Sequence, residues 1–298
     1  MKIISESFAG VATSATRVIE LYYPEDKRLF HDTFALELLP FVWRVFFRLV
    51  YLPGLRSVVL SLREKRMPGS LGGILCRTRY IDDVLKRSLE EGIEQLVILG
   101  AGFDSRAYRI AGLDHVRIFE VDLPGTVKLK QIRLEKVLGA VPENVTLVGI
   151  DFDQQSLGDI LNTAGFQKGK STLFIWEGVT QYLTEKAVNN TLEFVSGVPQ
   201  VGSAIVFTYV RRGLIDGTDR PEWFQSFLSF ARKVGAPLIF GLDQVELEQY
   251  LSNRGLKLID DVGAAEYQDL YLKQLGREMN VFEGERVAFA EVMGLSAT

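Results

Sequence analysis

The chain has 298 residues, enough for one large domain or one domain with a lid, and 34 Lys+Arg against 38 Asp+Glu give a net charge of -4. That balance argues against a nucleic-acid partner, whose binding rests on Lys and Arg neutralising phosphates. With 47% hydrophobic and 24% charged residues, global disorder is excluded, and one cysteine (Cys76) with two histidines (His31, His115) leaves no disulfide and little for a metal site.

In chain order, the opening MKIISESFAG has one lysine and no apolar run of leader length, so no signal peptide is expected and the chain reads as a cytoplasmic enzyme. The next third reads helical, at residues 14–22, 33–39 and 41–52. The last of these is apolar nearly all round, which predicts a helix packed over the main core, with peripheral membrane contact through Trp43, Phe46 and Phe47 as the alternative. Glu37, Arg44, Arg48 and Arg56, with Pro40 and Pro53, interrupt this greasy region, so no membrane span is expected.

From Glu94 the pattern changes. Strands are predicted at 95–99, 116–121, 145–149, 172–176, 204–209, 256–260 and 286–292, and helices at 105–110, 124–138, 157–164 and 184–195. Strands alternating with helices predict right-handed βαβ units and a mostly parallel α/β sheet. The last two strands lack a helix of usual length between them, which predicts an antiparallel hairpin at the sheet edge.

Ligands of open α/β sheets bind beyond the carboxyl ends of the strands. After the first strand come Gly100 and Gly102, which allow a tight turn and close approach of a ligand. After the second comes Asp122, twenty residues beyond Gly102, placed either for a ribose diol or to cap the helix at Pro124. Asp151 and Phe152 follow the third strand, and Glu177 follows the fourth. Together these strand ends point to a nucleoside site. An NAD(P) oxidoreductase is the rival reading, but Asp104 and Ser105 make a poor phosphate cradle. S-adenosylmethionine, with its sulfonium and ammonium and no phosphate, suits acidic strand ends better. Its carboxylate would want an arginine, and Arg77 and Arg79 precede the first strand.

The segments RTRYIDD (77–83), LGAGFDSRAYR (99–109), FEVDLP (119–124), DF (151–152) and WEGVTQYL (176–183) occur in that order. Together they resemble the leucine carboxyl methyltransferase family, in particular its bacterial S-adenosylmethionine-dependent branch, which includes polyketide O-methyltransferases. The resemblance implies a class I methyltransferase Rossmann-like domain over 1–298, with a helical cap (1–90) and a lid insertion (211–240). It also implies Arg77 on the cofactor's carboxylate, Gly100 and Gly102 along its methionine part, and Asp122 on the ribose. Asp151 and Phe152 would meet the adenine and Glu177 the ammonium. Leu99 stands where many methyltransferases carry an acid, a departure the family shares.

Methyl transfer needs alignment above all. A carboxylate acceptor, with a pKa near ~4, is already ionised at neutral pH, whereas a phenol near ~10 wants a base. His115 precedes the second strand and His31 lies in the helical segment, so bases are scarce and no catalytic residue is identified. The expected reaction is O-methylation of a small-molecule carboxylic acid, with a hydroxyl acceptor as the alternative. Tyr182, Tyr209, Trp223 and Phe227 are candidate substrate contacts. Arg106 and Arg109 are read as anion attractors or solvated helix residues. Oligomeric state is not legible.

Overall fold

The apolar runs QLVIL, TLFIW and AIVFTYV form strands buried along their whole length, as a parallel sheet covered on both faces requires. The computed structural model describes residues 8–50 and 52–294. Residues 1–7, read above for a leader, and Tyr51 in the third predicted helix lie outside them.

Strands β1 (Gln95–Leu99), β2 (Arg117–Asp122), β3 (Val145–Gly149), β4 (Thr172–Trp176), β5 (Ala204–Val210), β6 (Leu256–Val262) and β7 (Glu285–Val292) form one sheet in the order β3-β2-β1-β4-β5-β7-β6. The first five in that order are parallel, and β7 runs antiparallel between β5 and β6, as the missing crossover helix predicted. The winding reverses between β1 and β4, so their carboxyl ends flank the switch point.

Helices of usual length are α1 (Phe8–Val18), α2 (Phe41–Val50), α3 (Pro53–Arg66), α4 (Ser70–Glu90), α5 (Pro124–Leu138), α6 (Leu157–Thr163), α7 (Glu185–Ser196), α8 (Glu222–Lys233) and α9 (Gln244–Ser252). Alternate strand residues feed two cores. Leu96, Ile98, Ile118 and Ile175 pack against Leu75, Ile81 and Val84 of α4. Val97, Phe119, Phe174 and Trp176 pack on the other face against Leu161, Val188, Leu192 and Leu247.

Three expectations need correction. The helix predicted at 14–22 begins at Phe8 and ends at Val18, followed by a 3-10 turn through Tyr22. The one at 33–39 shortens to Phe34–Glu37, ending ahead of Leu39, whose position before Pro40 disfavours helical geometry. The apolar helix does not pack over the core along its length. Only Phe47 and Val50 of α2 are buried, while Phe41 is 69% and Val42 75% exposed.

Residues 211–240, between β5 and β6, share a small core with the end of β5. Phe224, Leu228 and Ala231 of α8 pack with Val210, Leu214 and Leu238, and Trp223 stands edge-on to Phe282 at 5.0 Å.

Candidate functional site

At the carboxyl end of β1 the chain reverses through Gly100 (φ 65°) and Gly102 (φ 42°), in the left-handed region that glycine tolerates. A Cβ at position 100 would collide with the Val179 side chain, so the fold itself demands glycine there. Gly100→Ala is expected to cost about 2–4 kcal/mol from left-handed strain and overpacking together, measured as a lower midpoint in urea. A variant as stable as the parent would show that the loop can move away from Val179.

The Gly102 N–H donates to Asp122 Oδ2 at 2.6 Å, locking the turn to the end of β2. Asp122 Oδ1 accepts from the Leu123 N–H at 2.6 Å. Leu123, not Asp122, is the N-cap of α5, so capping does not account for this carboxylate. Burial pushes its pKa up against the pull of those two N–H groups.

Over these ends lies a cavity of about 380 Å³, within the range of small-molecule sites. Its wall brings together Gly100, Gly102, Asp122, Asp151, Phe152, Glu177 and Tyr182 from the sequence reading. The other ionisable groups on the wall are Asp104, Asp153 and the guanidinium of Arg17. Five carboxylates face one arginine. That acceptor-rich wall fits a cationic ligand and repels a pyrophosphate, so S-adenosylmethionine fits it and NAD(P) does not.

Behind the wall runs a buried ion network. Glu177 Oε1 meets Arg77 Nε at 2.9 Å, and Oε2 meets Arg106 Nη1 at 2.7 Å. Arg106 also binds Asp104 at 2.5 Å and, through Nε, Asp82 Oδ1 at 2.7 Å. Arg109 holds Asp82 with both terminal nitrogens, at 2.6 and 2.8 Å. Arg106 and Arg109 are therefore buried struts rather than solvated residues or anion traps. These cations hold the Glu177 and Asp104 carboxyls below the usual range despite burial.

Arg77 is not on the cavity wall. Its Nε and Nη1 are taken by Glu177 and Glu285, while Nη2 faces Gly178, where a Cβ would stand 3.1 Å away. Arg79 turns elsewhere, paired to Asp83 at 2.9 Å and to the Leu29 carbonyl. Three of the four substrate expectations are also displaced. Tyr209 is fully buried and donates to Asp261 at 3.1 Å, because the alternation of β5 points it into the core. Trp223 and Phe227 pack in the core of α8, and the insertion reaches the cavity through Gly235, Ala236 and Pro237 instead.

Sequence reasoning missed Gly10, Thr13 and Arg17, which α1 lays against the cavity. Arg17 Nε binds Asp32 at 2.8 Å and Nη2 donates to the Phe103 carbonyl at 2.6 Å, leaving Nη1 without a partner among the described residues. The usable signal was an arginine amid apolar helical residues, a position that needs an acidic partner.

The chain matches the leucine carboxyl methyltransferase family over residues 10–196. It is 30% identical over 211 residues to a Bacillus subtilis protein provisionally named an S-adenosyl-L-methionine-dependent methyltransferase, covering 70% of this chain and 69% of that one. A similarly named Frankia alni protein is 36% identical over 145 residues, and the match spans half of that relative's length. The crystal structure of a DUF574 family protein from Streptomyces avermitilis shares the fold, with 14% identity and a TM-score of 0.54 over 80% of this chain and 90% of that one.

Proposed function

The chain belongs to the leucine carboxyl methyltransferase family and is an S-adenosylmethionine-dependent methyltransferase, and on that premise we propose that it methylates a carboxylate of an apolar small molecule to the methyl ester. The observation that carries this reading is the chemistry of the cavity wall, which among the described residues holds no histidine and no lysine. Its innermost acids, Glu177 and Asp104, are kept ionised by arginines and make weak proton acceptors. An acceptor that arrives ionised needs no base.

In this reading the cofactor supplies an electrophilic methyl on a sulfonium, and the protein's part is alignment and charge. Asp122 takes the ribose hydroxyls with the lone pairs left free by the Gly102 and Leu123 N–H groups and the Thr126 side chain. Glu177 faces the ammonium, fixed by Arg77 and Arg106 so that it does not reorganise. Arg17 Nη1 on the cavity wall is the guanidinium donor for the methionine carboxylate, while Arg77 lies behind the wall and acts through Glu177. Asp151 accepts from the adenine amino group beside Phe152. In this reading the described helices before β1 cap the site through Gly10, Thr13 and Arg17, Gly235–Pro237 belong to the lid, and Tyr182 donates to the acceptor.

Methyl-labelled cofactor and a panel of apolar carboxylic acids test the reaction. The expected product releases labelled methanol in base, and its formation rate is flat over about pH 6–8, since no group of the acceptor titrates there. A base-stable methyl ether, or a rate that climbs towards a phenolic pKa, would make the acceptor a hydroxyl.

A further inference from the structure

The hairpin of α2 and α3 has an outer face that the methyltransferase site does not use. We propose that this face docks on an anionic lipid bilayer, lying in the interface without crossing it. Residues 41–66 hold ten of the nineteen large apolar side chains exposed on the described surface, among them Val42, Trp43, Phe46 and Leu49. Monomeric surfaces rarely gather so many in one place without a partner. On α3, Leu55, Val58 and Leu62 fall at i, i+3 and i+7 and form one exposed stripe, and Lys65 and Arg66 prolong it.

Charge selects the occupant. The segment carries six basic residues (Arg44, Arg48, Arg56, Arg63, Lys65, Arg66) against one acid, Glu64, in a chain whose net charge is -4. Three of the six serve the fold. Arg44 pairs with Glu37, Arg56 donates to the Tyr22 carbonyl, and Arg63 donates to Thr16 on α1. Arg48, Lys65 and Arg66 are exposed beside the apolar face. A second copy seated on this face by a twofold axis would bring like charges together. An anionic headgroup layer takes both features, with aromatic and aliphatic side chains at the acyl boundary and cations among the phosphates.

Neither helix is long enough to cross a membrane by itself. The helices have ten and fourteen residues, where crossing needs about 20, and they meet at 110°. Fastened to α1 and the following turn by Arg63 and Arg56, the hairpin is part of the folded body rather than a loose anchor.

Flotation of the full chain with vesicles of phosphatidylcholine alone or of an equimolar phosphatidylcholine–phosphatidylserine mixture tests this. The three exposed cations predict about a hundredfold preference for the anionic vesicles, falling with added salt. Arg48→Glu/Lys65→Glu/Arg66→Glu should abolish the preference, and Phe46→Ser/Leu49→Ser should abolish binding, both at unchanged melting temperature because the altered side chains are exposed. Brominated lipid should quench the tryptophan emission of the parent but not of Trp43→Phe. Absence of flotation, flotation indifferent to these variants, or a dimer in sedimentation that Phe46→Ser/Leu49→Ser dissociates would each overturn the proposal.

Discussion

Asp122→Ala is expected to weaken binding of S-adenosylhomocysteine by about 2–4 kcal/mol, on the order of a hundredfold. Two losses add. The first is the charge-assisted contact to the ribose. The second is the pair of main-chain N–H groups, Gly102 and Leu123, that the carboxylate now satisfies in the cavity wall. Freed of its acceptor, the Gly100–Gly102 turn also loses its tie to β2, which calorimetry would register as a less favourable binding enthalpy.

The pH dependence follows from the same carboxylate. Burial raises its pKa, and ribose hydroxyls donate to the ionised form. Affinity should therefore fade as pH drops through a value above the ordinary aspartate range, sooner than an exposed aspartate would allow. Asp122→Asn keeps the shape and removes the charge, so its affinity should be low and lack this acid limb. Wild-type affinity in both variants, with the fold intact, would remove Asp122 from the cofactor site.

How much of this site the sequence makes legible depends on whether a residue's role is local. Gly100, Gly102, Asp122, Asp151 and Glu177 stand at strand ends, and a parallel sheet necessarily gathers strand ends at one rim. Their convergence follows from topology alone. Arg17, Arg106 and Arg109 are legible only as pairs, and their partners Asp32, Asp82 and Glu177 lie on other elements. A helical arginine reads as solvated until its acid is known. Tyr209 and Trp223 failed for a different reason. Period-2 alternation in a fully buried strand gives no sign of which face meets a ligand, and aromatic spacing along α8 says only that one face is covered. The α2 segment misled in the opposite sense, because uniform apolarity predicts a covering but cannot name it.

Arg106→Met should be the most damaging single change outside the sheet core, lowering stability by about 3–5 kcal/mol. The guanidinium is 1% exposed and binds Asp82, Asp104 and Glu177 at once, with the Thr78 carbonyl at 3.3 Å. Methionine fills much of the volume but strands Asp104 without its arginine and leaves Asp82 and Glu177 with one cation each, Arg109 and Arg77. Arg106→Lys should fall between the two, since a single ammonium cannot fork to three acids.

Acidity separates this account from a packing defect. In the parent, Asp104 and Glu177 have folded pKa values below their unfolded ones. Their ionised forms thus contribute stability that is present above an unfolded value near ~4 and lost as pH falls through the folded value. Without Arg106 the desolvation that now opposes that shift prevails, the carboxyls rise, and the folded variant takes up protons where the parent does not. Urea denaturation at neutral pH and again near the carboxylate range should therefore show the gap between Arg106→Met and parent narrowing with acidity. A gap independent of pH would mean that lost packing, not stranded charge, sets the cost. Glu177 would then keep its low pKa without its strut, and the electrostatic pre-organisation assigned to the cavity wall would have to come from Arg77 alone.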